Sequence, residues 1–378
     1  MNARRRKQNT PCRKVLICGA YGAGNIGDEA ILSAIIGTLR GFDPTLSLCV
    51  VTRSPEITGQ KYGVEAVHTF DFVGIFAAMK NAGLYINGGG SLIQNVTSRR
   101  SLFYYLGTLR LAKLCGCRVL MYGCGIGPIS GKGDIKKTAG ILNSCVDAIC
   151  VRDKNSAGLL NDMGVTKPEI ILSADPVLSL SACSDDEAAG FLLKNGIDPE
   201  GNYACFCLRP WQGLNEHFDA VLSAIRYAHN ELGLTPVFMT LNRKADFETA
   251  QRAVDCAEVP CVILPAVGDA ALCMGLMKKM RIVVSMRMHA LLFAAGCGVP
   301  TVGISYDPKV AGFMEYTECG ECIELENLTG DALILGMKRE LSRADNSERE
   351  RRMEKIKAVE ALNGKTAARY IKGERITE

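Results

Sequence analysis

Arg281-Ile282-Val283-Val284-Ser285-Met286-Arg287-Met288-His289 is followed by Val302-Gly303-Ile304-Ser305-Tyr306-Asp307-Pro308-Lys309, and the two stretches are built alike. Each is an apolar run that stops at polar residues. A run such as Ile282-Val283-Val284, apolar at every position, suits a strand buried on both faces, as strands of parallel sheets are. A parallel sheet sends its strand ends to one edge, and open α/β sheets bind ligands there. The pattern therefore gathers Arg287, His289 and Lys309 at one crevice. A guanidinium and an ammonium suit an anionic ligand carrying carboxylate or phosphate. An imidazole beside them suits proton transfer.

The same reading extends in both directions. In the first half, strands are expected at residues 15–18, 46–51, 84–86, 118–122, 148–151 and 169–172, with helices at 28–39, 72–80 and 102–114 between them. In the second half, strands are expected at 203–208, 236–240, 261–264, 281–285 and 301–305. Two successive βαβα series predict an α/β protein with two doubly wound, Rossmann-like sheets facing each other across a cleft. The acidic stretch near Ser181 and the loop near Asn195 mark the junction. This gives an N-terminal domain over 13–180, a C-terminal domain over 200–341 and a charged helical segment over 342–378, expected as an amphipathic helix packed on the surface and crossing back to the first domain.

Composition narrows the function. A chain of 378 residues with 48% hydrophobic content is long enough for two buried cores. Its net charge of +4 suggests no nucleic-acid role. Part of that excess is the tail Arg4-Arg5-Arg6-Lys7, which reads as a solvated segment or as a contact for an anionic membrane surface. The tail lacks the apolar stretch of a signal peptide, and the longest apolar run, near 290–304, is broken by Gly296, Gly298 and Pro300. Seventeen cysteines, many inside apolar segments, fit buried thiols in a reducing cytoplasm better than a disulfide framework. Cys319-Gly-Glu-Cys322 has no second pair nearby, and with only four histidines in the chain no metal site is expected.

Glycine-rich strand ends follow the same edge. Gly22, Gly24 and Gly27 form a GxGxxG between a strand and a helix, the context of a dinucleotide site. The second strand, however, ends at Val51-Thr52-Arg53 without an acidic residue for a ribose. Asp28 and Glu29 also place negative charge where a pyrophosphate would sit. The loop therefore reads as a close approach for another ligand, such as a sugar. Gly88-Gly89-Gly90 and the segment from Gly123 to Gly127 read as further glycine turns. Arg152 and Arg209 each end a predicted strand.

Together these segments resemble the polysaccharide pyruvyl transferase family. The matching residues are Gly22 through Ala30, Gly88-Gly89-Gly90, Val151-Arg152-Asp153, Asp175-Pro176, Arg287-Met288-His289 and Tyr306-Asp307-Pro308-Lys309. The resemblance is greatest to the bacterial cell-wall, CsaB-like members. It implies a fold like that of the GT-B glycosyltransferases. It also implies transfer of a pyruvyl group from phosphoenolpyruvate, as co-substrate and without a further cofactor, onto a sugar as a cyclic ketal. The positions of Arg152, His289 and Lys309 would form the donor site, with Arg287 from the same Arg-x-His motif and Arg209 as a fourth cation. Gly24, Asn25 and Asp28 would meet the acceptor. For the CsaB-like members that acceptor is a lipid-linked amino sugar containing N-acetylmannosamine. The enzyme would then be cytoplasmic, with peripheral contact at the membrane face. Three other readings compete: a GT-B glycosyltransferase using a nucleotide sugar, a dinucleotide-dependent oxidoreductase resting on GxGxxG alone, and a non-catalytic anion- or sugar-binding protein.

Overall fold

The computed structural model describes residues 11–343 and 346–374; Arg4, Arg5, Arg6 and Lys7 lie outside them. The chain divides into two compact units. Unit 1 comprises the chain up to Ala23, Asp28–Ser179 and the stretch from Lys357 onward; unit 2 comprises Gly24–Gly27 and Leu180–Ile356.

Unit 1 is built on strands β1 (Lys14–Cys18), β2 (Ser47–Thr52), β3 (Glu65–His68), β4 (Leu84–Asn87), β5 (Gly90–Ile93), β6 (Arg118–Ile126), β7 (Ala148–Val151) and β8 (Glu169–Leu172). They form a parallel sheet in the order β3-β2-β1-β4-β6-β7-β8, with β5 resuming the line of β4 alongside β6. Its helices are α1 (Ile26–Phe42), α2 (Pro55–Tyr62), α3 (Phe72–Asn81), α4 (Arg99–Leu114), α5 (Lys132–Cys145) and α6 (Lys154–Asp162). Right-handed crossovers put α1 and α2 on one face and α3 to α6 on the other. On the second face, Ile75, Met79, Leu102, Leu106, Leu109 and Leu142 close a core over Leu16, Val51, Tyr85 and Val119.

Unit 2 repeats the scheme. Helix α7 (Asp185–Lys194) leads into β9 (Tyr203–Cys207), α8 (Phe218–Asn230), β10 (Thr235–Phe238), α9 (Arg243–Ala257), β11 (Val262–Ile263), α10 (Ala270–Lys278), β12 (Ile282–Ser285), α11 (Met288–Gly296), β13 (Thr301–Ser305), α12 (Pro308–Thr317), β14 (Gly320–Glu324) and α13 (Gly330–Ser342). The order is β11-β10-β9-β12-β13-β14, all parallel. In each unit the strand order reverses next to the first strand, between β1 and β4 and between β9 and β12. That reversal opens a crevice at the C-terminal edge. The expected class, α/β with two doubly wound parallel sheets, is the one found.

Three local expectations need correction. The strand at 118–122 does not stop before a glycine turn: β6 runs on through Gly123 and Gly125 to Ile126. It does so across a register shift, with Gly123 at φ 55°. Gly90 opens β5 rather than closing a turn. Strands β3 and β14 had no predicted counterpart, because each is an edge strand, half-exposed and interrupted by Glu65, Glu321 or Glu324. The last helix, α14 (Asn346–Lys372), packs a buried face within unit 1 from Lys357 onward. Asn363 and Ala367 are fully buried, Asn363 Nδ2 donates to Ala174 O at 3.0 Å, and Arg369 meets Glu169 at 2.6 Å.

Helix α14 also buries a carboxyl. Burial, followed by the nearby charge of Asp175, pushes the Glu360 pKa up to about 7 from an ordinary 4.5. A raised folded-state pKa means that protonated Glu360 favours folding. The contribution is full below pH 4.5 and is lost as pH rises through 7. Glu360→Gln should match the parent's stability in acid and exceed it at pH 8, by at most about 3 kcal/mol. Denaturant unfolding across that range checks this; parallel curves for the two proteins would refute it.

Candidate functional site

The C-terminal edge of the unit 2 sheet collects four of the expected residues. Arg209 follows β9, Arg287 follows β12, His289 lies in the first turn of α11, and Lys309 lies in the first turn of α12 after β13. Strands β9, β12 and β13 are neighbours, so Arg209 and Arg287 flank the crevice where the strand order reverses.

Local chemistry turns the chain at each end. Ser285 Oγ accepts from the Arg287 N–H at 2.8 Å, and its hydroxyl lies 3.0 Å from the Arg287 carbonyl, which bends the strand into α11. The Arg287 guanidinium is then gripped by Asp246, with Nε donating to Oδ2 at 3.1 Å and Nη2 to Oδ1. Asp246 is only 1% exposed and also accepts from the N–H groups of Leu241 (3.2 Å) and Asn242 (2.9 Å). A paired, forked arginine of this kind is held in one orientation, and its Nη1 end makes no hydrogen bond among the described residues. After β13, Asp307 caps α12 by accepting from the Lys309 N–H at 2.9 Å, and it holds Lys309 Nζ at 3.4 Å.

The segment that Asp246 anchors reaches the glycine loop. Asn242 forms an antiparallel bridge with Asn25, and the Ile26 N–H donates to Leu241 O at 3.4 Å. Asn25 Oδ1 accepts from the Gly27 N–H at 3.0 Å, closing a short turn. Gly27 lies directly against the imidazole: a Cβ at this position would come 2.1 Å from His289 Nδ1. Gly27 is therefore needed for space, and the space is taken by His289 rather than reserved for a ligand's backbone approach.

Arg209 sits in aromatic company. Its guanidinium carbon is 4.6 Å from the Tyr306 ring centroid and 5.1 Å from that of Trp211, and Nη1 donates to the Tyr306 hydroxyl. Beside it opens a cavity of about 680 Å³ lined by Trp211, Leu214, Phe218, Glu248 and Arg252 among others. Arg252 covers the Phe218 ring at 4.0 Å.

Of the remaining expected residues, Arg152 and Asp28 fall in unit 1 and Gly24 and Asn25 in unit 2. Arg152 is buried, donating to Asp175 at 2.7 Å and to Ser91 Oγ at 3.1 Å, with Gly125 leaving room for its guanidinium. Asp153 caps α6 through the Ser156 N–H at 2.7 Å. Asp28 begins the unit 1 part of α1, near Gly90. Gly24, exposed at φ 79°, and Asn25 group with unit 2, although the sequence places them in the first loop of the N-terminal half. At the unit 1 crevice the Tyr21 hydroxyl and the Asn87 amide are buried without a hydrogen-bond partner among the described residues. Burial pushes the Tyr21 pKa well up. Neither residue was anticipated from the sequence, nor were Asp246, Trp211 or the Gly27–His289 contact. Of the lone CxxC, Cys319 is buried and donates to Thr317 O, while Cys322 is exposed on β14. No disulfide forms among the described residues, and none of their helices is long and apolar enough to cross a membrane.

The family model described as polysaccharide pyruvyl transferase matches residues 25–308. A search of curated proteins gave no match. Among solved structures, the fold is similar to UDP-GlcNAc 2-epimerase from Methanocaldococcus jannaschii, with TM-score 0.65 and 11% identity over 94% of this chain and 99% of that one. It is similar to S. aureus MnaA solved with UDP, at TM-score 0.62 and 10% identity over 95% and 96% of the two chains. It is also similar to the Neisseria meningitidis UDP-GlcNAc 2-epimerase, at TM-score 0.59 and 11% identity over 95% and 99%. At such identities the likeness is one of fold alone.

Proposed function

The chain belongs to the polysaccharide pyruvyl transferase family, and is thus a transferase, and from that premise we propose that it moves the pyruvyl unit of phosphoenolpyruvate onto a sugar as a cyclic ketal. The observation that carries this reading is the unit 2 edge. Arg209, Arg287 and Lys309 supply three cations on neighbouring strand ends, and His289 stands among them at a helix start. Phosphoenolpyruvate carries both a carboxylate and a phosphate, so it needs several fixed cations. Arg287, held in position by buried Asp246, and Lys309 bind these groups and stabilise phosphate as it leaves. Protonation at C3 develops positive charge at C2, where one sugar hydroxyl adds. Phosphate departs with the C2–O bond pair, and a second hydroxyl of the same sugar closes the ketal, each hydroxyl giving up its proton. His289 carries at least one of these proton transfers. The loop Gly24–Gly27, packed against His289 through Gly27, presents Asn25 to the acceptor. Arg152, fixed by Asp175 in unit 1, is a further donor-binding candidate, and Asp28 a further acceptor candidate.

The acceptor we propose is the lipid-linked N-acetylmannosamine sugar of a cell-wall polysaccharide precursor, as in CsaB-like members, giving a product that anchors surface-layer proteins. Seventeen cysteines, most of them buried, suit a reducing, cytoplasmic site of action. The test is phosphate release from phosphoenolpyruvate with and without a lipid-pyrophosphate disaccharide bearing N-acetylmannosamine, with the product weighed. Acceptor-dependent release with a pyruvyl mass gain is expected. Release without a sugar product, or none with any sugar, would sink the reading. Lys309→Ala should raise the donor KM by about tenfold or more with a smaller effect on kcat; an unchanged donor KM would remove Lys309 from the site.

One observation favours a second reading, a glycosyltransferase using a nucleotide sugar. The cavity beside Arg209 offers the exposed Trp211 ring as a surface on which a base could stack. Thermal protection by UDP but not by phosphoenolpyruvate would establish it instead.

A further inference from the structure

Helix α3 is wrong for a surface helix. Its sequence, Phe72-Val73-Gly74-Ile75-Phe76-Ala77-Ala78-Met79-Lys80-Asn81, buries Ile75 and Met79 but also presents apolar side chains to solvent. Phe72 is 63% exposed and Val73 82%; Phe76, and Phe70 in the preceding loop, are exposed as well. A helix apolar on all sides belongs inside a protein or against something else. Phe70 and Phe72 follow β3, so the patch begins at the C-terminal edge of the unit 1 sheet, on the face shared with α4 and α5.

The charge around it is mostly positive. Helix α4 carries Arg99, Arg100, Arg110 and Lys113 and no carboxylate, and its first turn holds two arginines where a helix dipole prefers anions. Tyr104 Oη donates to Thr69 O at 3.1 Å, which sets α4 against the loop carrying Phe70, and Arg100 lies one turn earlier on the same face. Lys80 lies over the Phe76 ring at 4.7 Å and Lys137 of α5 over Phe103 at 4.3 Å. The α5 carboxylate, Asp134, is engaged by Arg99 at 2.8 and 2.9 Å. Asp71, amid the phenylalanines, is occupied capping α3 through the Gly74 N–H.

We propose that this surface, Phe70, Phe72, Val73 and Phe76 flanked by Lys80 and Arg100, rests on the interface of an anionic lipid bilayer. Exposed aromatics beside cations match that interface, where rings enter the headgroup layer and cations meet lipid phosphates. A second copy of the chain fits worse, because a two-fold contact would set the same cations against each other. The choice of a bilayer is strengthened by, and its purpose rests on, the lipid-linked acceptor proposed above. A membrane seated here brings such an acceptor to the sheet edge that carries the Gly88-Gly89-Gly90 segment.

The test is co-sedimentation of the full chain with vesicles of phosphatidylcholine, alone or mixed with phosphatidylglycerol. No acceptor is added, so the outcome is independent of the reaction. Binding is expected to the mixed vesicles only, and to fall with salt. The triple variant Phe70→Ser, Phe72→Ser, Val73→Ser should lose binding on the order of tenfold or more, and Arg100→Glu should weaken it. Both variants should keep turnover on a soluble acceptor, which shows that they fold; loss of that turnover in the parent too would fault the reaction and not the surface. Arg4→Gln, Arg5→Gln, Arg6→Gln, Lys7→Gln should leave most binding in place. Absence of binding, binding untouched by the triple variant, or binding abolished by the tail variant overturns the proposal. So does a dimer in gel filtration that the triple variant dissolves, with no vesicle binding.

Discussion

His289→Ala is expected to lower acceptor-dependent phosphate release by on the order of 100- to 10,000-fold, the usual worth of a positioned general acid or base. Its unfolding midpoint should stay close to the parent's, because the ring is only half-buried in the first turn of α11. A structural role alone would give the opposite pattern. Gly27→Ala provides the sharper test. That substitution removes no functional group, yet its Cβ would lie 2.1 Å from His289 Nδ1, so the imidazole must swing away. Turnover should therefore fall nearly as far as in His289→Ala, and adding Gly27→Ala to His289→Ala should cost little more. Such non-additivity marks two residues acting through one group. Full, additive losses would mean that Gly27 serves the ligand and not the histidine. Added imidazole should restore part of the activity of His289→Ala and none of that of Gly27→Ala, whose own ring blocks the space.

The glycine case shows where the sequence was legible and where it was not. Ile282-Val283-Val284 and Val302-Gly303-Ile304 are apolar at every position because their strands are covered on both faces, so strands and sheet class could be read directly. Arg209, Arg287 and Lys309 could be read as strand ends for the same reason. Strands β3 and β14 could not: an edge strand is half wet, and Glu65 or Glu321 carries no apolar signal. Gly123 and Gly125 looked like turn residues, but Gly125 is small because Arg152 and Ser91 lie against it inside a strand. A sequence shows that a position is glycine; only the packing shows whether φ, a ligand or a neighbouring side chain requires it. Asp246 was invisible for a related reason. One acidic residue in the first turn of a helix is ordinary, and nothing in Ala245-Asp246-Phe247 announces an arginine forty residues further on.

Asp246→Ala should be strongly destabilising, at about 3–5 kcal/mol. The loss has two parts. The Arg287 side chain, 18% exposed, is left charged without its partner, and the Leu241 and Asn242 N–H groups lose their acceptor. Asp246→Asn keeps the shape and one acceptor oxygen but not the charge, so it should unfold at an intermediate denaturant concentration. Its diagnostic is kinetic: with Arg287 no longer held in a bidentate grip, the donor KM should rise in a protein that still folds. A merely structural Asp246 would leave that KM unchanged. The pair Asp246→Leu, Arg287→Met should recover part of the stability lost in Asp246→Ala, since an apolar pair needs no charge compensation, though the two N–H groups stay unmet. It should not recover turnover. Stability regained without activity would mean that this ion pair is kept to aim a guanidinium. The same segment that Asp246 anchors bridges Asn25 and seats Gly27 against His289. Arginine and histidine are thus positioned from one buried carboxylate, and Asp246→Asn should blunt the imidazole's contribution along with donor binding.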